Sequence, residues 1–328
     1  MKPRVALIGT GPIAEWHVRA LRAADFDVAA VASRPGSLRA QDFAAQYSIP
    51  KVFEGWRSML ASPLDWDALV IAIHTDVAAE ILAMGLDLDI PILVEKPVAW
   101  NSKALSDLAT GAHARVIVGF NRRFYRTVQF AHEFVAEGSP VVAHLSLPES
   151  VVAKSDAAVE YLRPFFSNSC HGLDLLRYVF GAIRIVDVRR IALGTGQISA
   201  LAATMEAPRG DIIQLTCNWG TPANFGLTLD RVGRRVELKP FEEGRVYDTL
   251  DIIEPSETCP VRRYVPRVAK EIRLEEADRG QKPGFLAQAL ALRALVEGRD
   301  VPACTAGLAD AVGALALCEE LSGITCDR

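Results

Sequence analysis

Three short stretches of this 328-residue chain carry residue types that could do chemistry together. The first is Gly9-Thr10-Gly11-Pro12-Ile13-Ala14. It stands between an apolar run, Val5–Ile8, and residues Ile13, Ala14, His17, Ala20, Leu21 and Ala24 at three- and four-residue spacing. That order predicts a buried strand, a tight turn and a helix. Gly9 allows the turn, Gly11 lets backbone amides approach a pyrophosphate, and Ala14 lets the helix pack closely. The helix N-terminus adds partial positive charge, so a dinucleotide is the expected ligand. The second stretch is Ser33-Arg34, about 20 residues further on, where an acidic residue would bind a ribose 2′-hydroxyl. No Asp or Glu is there. Ser33 can donate to a phosphate and Arg34 can pair with one or stack on adenine, which places NADP ahead of NAD. The alternative is that Arg34 is a solvated loop charge and either cofactor is accepted. The third is Glu95-Lys96-Pro97, following Ile92–Val94 at the carboxyl edge where α/β sheets place ligands. Glu95 can hold the Lys96 ammonium or contact a cofactor ribose; by itself the triplet could equally be a salt-bridged turn.

The elements that must position these residues follow a strand-then-helix rhythm over the first 120 residues. Val28–Ala32, Ala68–Ile73, Ile92–Val94 and Val116–Gly119 read as buried strands, with a helix-like stretch around Leu38–Gln46. Such alternation implies parallel crossovers and a doubly wound sheet. Beyond about residue 140 strand-like runs dominate: Val141–Leu147, Ile183–Ile191, Ile198–Glu206, Asp211–Asn218, Phe225–Val232 and Arg235–Leu238. One helix, Leu173–Phe180, interrupts them. A second α+β domain with a mostly antiparallel sheet is expected there. Ser256–Arg279 reads as a long charged loop, and two helices, Phe285–Val296 and Ala306–Leu321, close the chain. The expected domains are 1–121 and 122–328.

Composition narrows the function classes. Half the residues are hydrophobic, enough for a large core and too many for a disordered chain. Net charge is −4, and each side of residue 120 carries −2, with no basic stretch for a polyanion; nucleic acid is not an expected partner. No apolar run approaches the roughly 18 residues of a membrane helix, and Glu15, His17 and Arg19 interrupt any export-signal pattern. The six cysteines are scattered, without CxxC or metal-ligand pairing, and read as reduced thiols of a cytoplasmic protein with no metal site.

Taken jointly, Gly9–Ala14 with His17, Val94-Glu95-Lys96-Pro97, Gly119-Phe120-Asn121-Arg122-Arg123-Phe124 and His171-Gly172-Leu173-Asp174-Leu175-Leu176-Arg177-Tyr178 resemble the Gfo/Idh/MocA oxidoreductases, the family of glucose–fructose oxidoreductase and inositol dehydrogenase. Gly284–Gly323 resembles the family's last helices. The resemblance implies an N-terminal Rossmann domain and a C-terminal open sheet that carries substrate and often a dimer contact, hence a homodimer or homotetramer. It also implies that Lys96 lies near nicotinamide and the substrate hydroxyl, with His171 as proton acceptor. A hydroxyl losing hydride from its carbon becomes acidic, imidazole titrates near neutrality, and an ammonium steadies oxyanion charge. The other reading of His171 is a core histidine facing Asp174 at i+3.

Two departures from the family pattern stand out. Ser167 occupies the place of an Asp four residues before the histidine, and Ile73-His74-Thr75 with Ala78 replaces the common Thr-Pro and histidine after the fourth strand. His74 still falls among the expected cofactor residues. Arg122, Arg123 and Arg126 cluster after the last Rossmann strand, and Tyr161 and Arg163 precede the His171 segment. With Asn121, Asn168 and Asp174 they are candidate substrate contacts, suited to a sugar acid or nucleotide sugar; such arginines also cap helices or form surface pairs. The expected activity is NAD(P)-dependent hydride transfer at a hydroxyl or keto group of a sugar derivative. Two alternatives are an NAD-dependent glycoside hydrolase and a non-catalytic dinucleotide-binding regulator.

Overall fold

The computed structural model describes residues 1–37, 39–63, 65–110, 115–149, 162–192, 198–275, 278 and 280–326. The chain divides into two compact units, Met1–Phe124 with Glu276–Arg328, and Tyr125–Glu275.

In the first unit, short apolar runs bounded by glycine and polar turns become strands buried on both faces. The order is β1 (Arg4–Ile8), α1 (Pro12–Ala23), β2 (Asp27–Ala32), α2 (Arg39–Gln46), β3 (Lys51–Phe53), α3 (Trp56–Leu60), β4 (Ala68–Ile71), α4 (Thr75–Leu86), β5 (Ile92–Val94), α5 (Ser102–Leu108) and β6 (Val116–Val118). The strands form one parallel sheet in the order β3-β2-β1-β4-β5-β6. The strand order reverses between β1 and β4, so the doubly wound sheet places a ligand crevice at the carboxyl ends of those strands.

The second unit contains α6 (Arg126–Ala136), β7 (Val142–Glu149), α7 (Cys170–Phe180), β8 (Arg184–Ala192), β9 (Ile198–Glu206), β10 (Ile212–Trp219), β11 (Gly226–Arg231), β12 (Arg234–Leu238), β13 (Gly244–Ile253) and β14 (Arg263–Ile272). Its sheet runs β14-β13-β12-β11-β7-β10-β9-β8 and is antiparallel except for the β7–β10 pair.

Two expectations need correction here. Part of the supposed loop Ser256–Arg279 is β14, hydrogen-bonded to β13 along most of its length. Nine of its ten residues are exposed, so neither face carries the apolar alternation that marks a half-buried strand. Pro266, which lacks a ladder donor, is tolerated because β14 is an edge strand. The boundary at residue 121 also misplaces the closing helices α8 (Phe285–Val296) and α9 (Leu308–Ser322), which belong to the first unit. Phe285, Ala289 and Leu292 of α8 recur at helical spacing and join the core formed by Val5, Leu7, Val18 and Leu21. The guanidinium of Arg293 donates to Ala24 O at 2.9 Å and pairs with Asp25 at 3.1 Å. Leu38 and Tyr161 fall outside the described residues. Among the described residues no cysteine forms a disulfide and no helix is long and apolar enough to cross a membrane.

Candidate active site

The turn after β1 is held by Gly9, whose N–H donates to Ala32 O at 2.8 Å. Its φ is +124°, and a Cβ there would lie 2.0 Å from Ala72 O, so packing against β4's continuation demands glycine. Gly11 differs: its φ of −81° suits any residue, and a Cβ would meet nothing within 4 Å. It caps α1 without a side-chain hydrogen bond, with Pro12 at the first helical position. The space beside Gly11 at the helix N-terminus is therefore open, an arrangement that fits a dinucleotide pyrophosphate. Ala14 is fully buried against the sheet. Thr10, Gly11 and Pro12 border a surface cavity of about 330 Å³ shared with Arg39 and Tyr47 of the α2 region.

Ser33 is buried directly after β2, its hydroxyl donating weakly to Arg34 O at 3.4 Å. Arg34 is exposed and has no ion-pair partner among the described residues. His74 caps α4, its Nδ1 accepting from the Asp76 N–H at 3.4 Å, with its ring 6.4 Å from that of Trp100.

Glu95 follows β5. Its carboxylate accepts from His17 Nε2 at 2.9 Å and from the Lys96 N–H at 3.2 Å. Burial pushes the Glu95 carboxyl up, but His17 and the charge and N–H of Lys96 outweigh it and hold it below its ordinary range. The carboxylate lies over Gly119, where a Cβ would come 2.9 Å from Oε2. His17, one helical turn beyond the cradle, thus anchors the segment that carries Lys96. The Lys96–Pro97 peptide bond is cis.

The return of the chain completes this edge. Asn121 donates from Nδ2 to Pro283 O at 2.8 Å, so its amide fixes the closing segment. Gly284, at φ +77°, brings the backbone so close that a Cβ would sit 2.2 Å from Asn121 O. Phe285 packs its ring 4.8 Å from that of His17, and Lys282 lies 5.1 Å above the Phe285 centroid. Arg123 is 3% exposed and pairs with Asp310 of α9 at 3.0 Å. Lys282 was invisible in the sequence because its segment lies more than 150 residues from the motifs it joins.

In the second unit, His171 and Asp174 are buried on one face of α7. A π-helical turn, Phe165–Ser169, leads into that helix, a distortion frequent at functional positions. Ser167, Asn168 and Ser169 lie in this turn and Arg163 just before it, partly buried. Asn168 donates from Nδ2 to Glu149 at 3.0 Å, and the Ser169 hydroxyl also donates to Glu149. Glu149, 2% exposed at the end of β7, therefore places a carboxylate against the turn whose own position 167 lacks one. Burial and the Glu149 charge both raise the Cys217 thiol well above its ordinary value. Glu149 escaped sequence reading because it lies two residues beyond the alternating stretch that marked the strand. Among the described residues no group of His, Cys, Asp and Glu is arranged to hold a metal.

Fold and cradle together define a two-unit protein whose first unit is a Rossmann-type parallel sheet with a glycine turn at the switch point. Residues 3–120 match the model of the Gfo/Idh/MocA family, described as an oxidoreductase family with an NAD-binding Rossmann fold. No curated protein matches the chain. Solved structures match over nearly its whole length. Levoglucosan dehydrogenase in complex with NADH and levoglucosan superposes at TM-score 0.75, with 15% identity, covering 98% of this chain and 96% of that one. UDP-N-acetylglucosamine 3-dehydrogenase from Acidithiobacillus ferrooxidans gives 0.73, 19%, 98% and 97%. An oxidoreductase from Agrobacterium radiobacter in complex with NAD+, L-tartaric acid and magnesium gives 0.74, 15%, 98% and 97%.

Proposed function

We propose that the protein transfers hydride between a nicotinamide cofactor and a hydroxyl or keto group of a sugar, sugar acid or nucleotide sugar. The observation that carries this reading is the anchored Lys96 segment, held by Glu95 and His17 on the sheet edge that also bears the open Gly11 cradle. Gly9–Ala14 would hold the cofactor pyrophosphate and Glu95–Lys96 would border the nicotinamide end. When bound, the nicotinamide supplies the two-electron acceptor for a hydride. The Lys96 ammonium orients the substrate oxygen and stabilises its developing negative charge, while His171 takes the hydroxyl proton. Glu149, through Asn168 and Ser169, holds the turn that leads to His171. The test is Lys96→Met assayed by NAD(P) reduction against a panel of polyols, sugars and sugar acids. Turnover should fall by a factor on the order of 10²–10³ while cofactor binding persists.

NADP is the proposed preferred cofactor. The reading rests on the absence of an acidic residue after β2 and on the exposed Arg34. Comparative titration with NADP and NAD checks it, and a strong preference for NAD overturns it. The exposed apolar residues Leu250, Ile252, Val261, Tyr264 and Val268 on and beside β13 and β14 support a homodimer or homotetramer, read by sedimentation. Ser167 in place of a carboxylate favours one second reading, a non-catalytic regulator, which predicts tight dinucleotide binding with no turnover.

A further inference from the structure

We infer that Lys282, with Arg122, recognises an anionic group on the substrate, a carboxylate or a phosphate, and so selects charged sugars over neutral ones. This rests on the oxidoreductase reading above and deepens it.

Lys282 is placed with unusual care for a lysine in a connecting segment. Asn121 holds the neighbouring Pro283 carbonyl, Gly284 makes its close approach to Asn121, and the Gly284 N–H donates to Asp278 at 3.1 Å. The Phe285 N–H donates to Lys282 O at 3.1 Å, and the Phe285 ring lies beneath the ammonium. The ammonium is half-buried and has no hydrogen-bond or ion-pair partner among the described residues. A flexible surface lysine would not need such fixing, and one aromatic face is weak recompense for lost hydration.

The charges around it indicate what the position is for. Glu95, Lys96 and Arg122 all act on Lys282: three cations share the neighbourhood of one carboxylate. That carboxylate is already engaged by His17 and the Lys96 N–H. Burial lowers the Lys282 pKa, Glu95 raises it in part, and Lys96 and Arg122 lower it again, so the charged form stands at a cost in the ligand-free protein. An anion entering beside Lys96 relieves that repulsion and gains charge-assisted hydrogen bonds. A neutral sugar does neither.

The experiment uses the full chain loaded with NAD or NADH and three matched probes: glucose, glucuronate and glucose 6-phosphate. Two readouts are taken, quenching of bound NADH fluorescence by each probe and kcat/KM by NAD reduction. The wild type should bind at least one charged probe about tenfold more tightly than glucose, and which one identifies the anionic group. Lys282→Gln should cut the charged-to-neutral ratio about tenfold, Lys282→Arg should restore most of it, and NADH affinity should change little. Equal binding of charged and neutral probes, binding of none, or a loss in Lys282→Gln that leaves the ratio unchanged overturns the inference. Glucose oxidised as well as the charged probes sinks it while the oxidoreductase reading stands. Charge-selective, Lys282-dependent binding without turnover of any probe supports it while that reading loses support.

Discussion

The glycine cradle and the Lys96 cluster occupy one edge of one parallel sheet, yet they are built in opposite ways. The cradle is a single continuous stretch in which backbone does the work: a strained turn at Gly9, an uncapped helix end at Gly11 and Pro12. The cluster draws side chains from four separated segments, His17 on α1, Glu95 and Lys96 after β5, Arg122 after β6, and Lys282 before α8. A backbone site needs small residues in a fixed local order. A side-chain site needs only that distant segments meet, which the sheet topology and the closing helices arrange.

That contrast can be broken at its strongest point first. Lys96→Met should lower kcat by a factor on the order of 10²–10³ while leaving NADH binding measurable by fluorescence titration. Undiminished turnover would remove Lys96 from the chemistry.

Next come the two glycines of the cradle. Gly9→Ala forces a Cβ onto Ala72 O at positive φ and should cost about 3 kcal/mol of stability in urea unfolding. Gly11→Ala meets nothing and should leave the unfolding midpoint in place, yet weaken dinucleotide binding about tenfold. If the two variants lose stability equally, the division between a folding glycine and a binding glycine fails.

A smaller effect separates the cluster's charge from its packing. The Glu95 pKa is lowered in the folded protein, so its stabilisation is present above the ordinary carboxylate range and is lost as pH falls through the lowered value. Glu95→Gln should therefore cost about 2 kcal/mol near pH 7, the scale of a hydrogen bond to a charged group. The difference from wild type should shrink as both are unfolded at progressively more acidic pH. A difference independent of pH would assign the effect to packing alone. The smallest change is expected at the far end of the cofactor. Arg34→Ala should reduce any NADP-over-NAD preference by about fivefold, read from the ratio of the two dissociation constants.

Legibility followed the same division. The cradle, the Glu95–Lys96 pair and the strand-helix alternation were readable because each is a local pattern with a local cause. β14 was not, because an exposed edge strand with Pro266 carries no burial pattern. Glu149 was not, because its partners Asn168 and Ser169 are 19 and 20 residues away and join it only when the π-helical turn folds back on β7. The ion pair of Arg123 with Asp310, far along the chain, was not legible either.

Residue order alone was enough to establish a parallel sheet with a glycine turn before its first helix and a lysine at its carboxyl edge. Hydrophobic period, glycine placement and helix-end chemistry act over a few residues and leave little freedom there. Tertiary structure alone decided that the closing helices return to the first unit, that Asn121 and Gly284 fix the segment bearing Lys282, and that a β7 carboxylate supports the His171 turn. The apolar face of α8 could have been buried on either sheet. Only its fit against α1 and β1 selects one, and with it the charges that gather around Lys96.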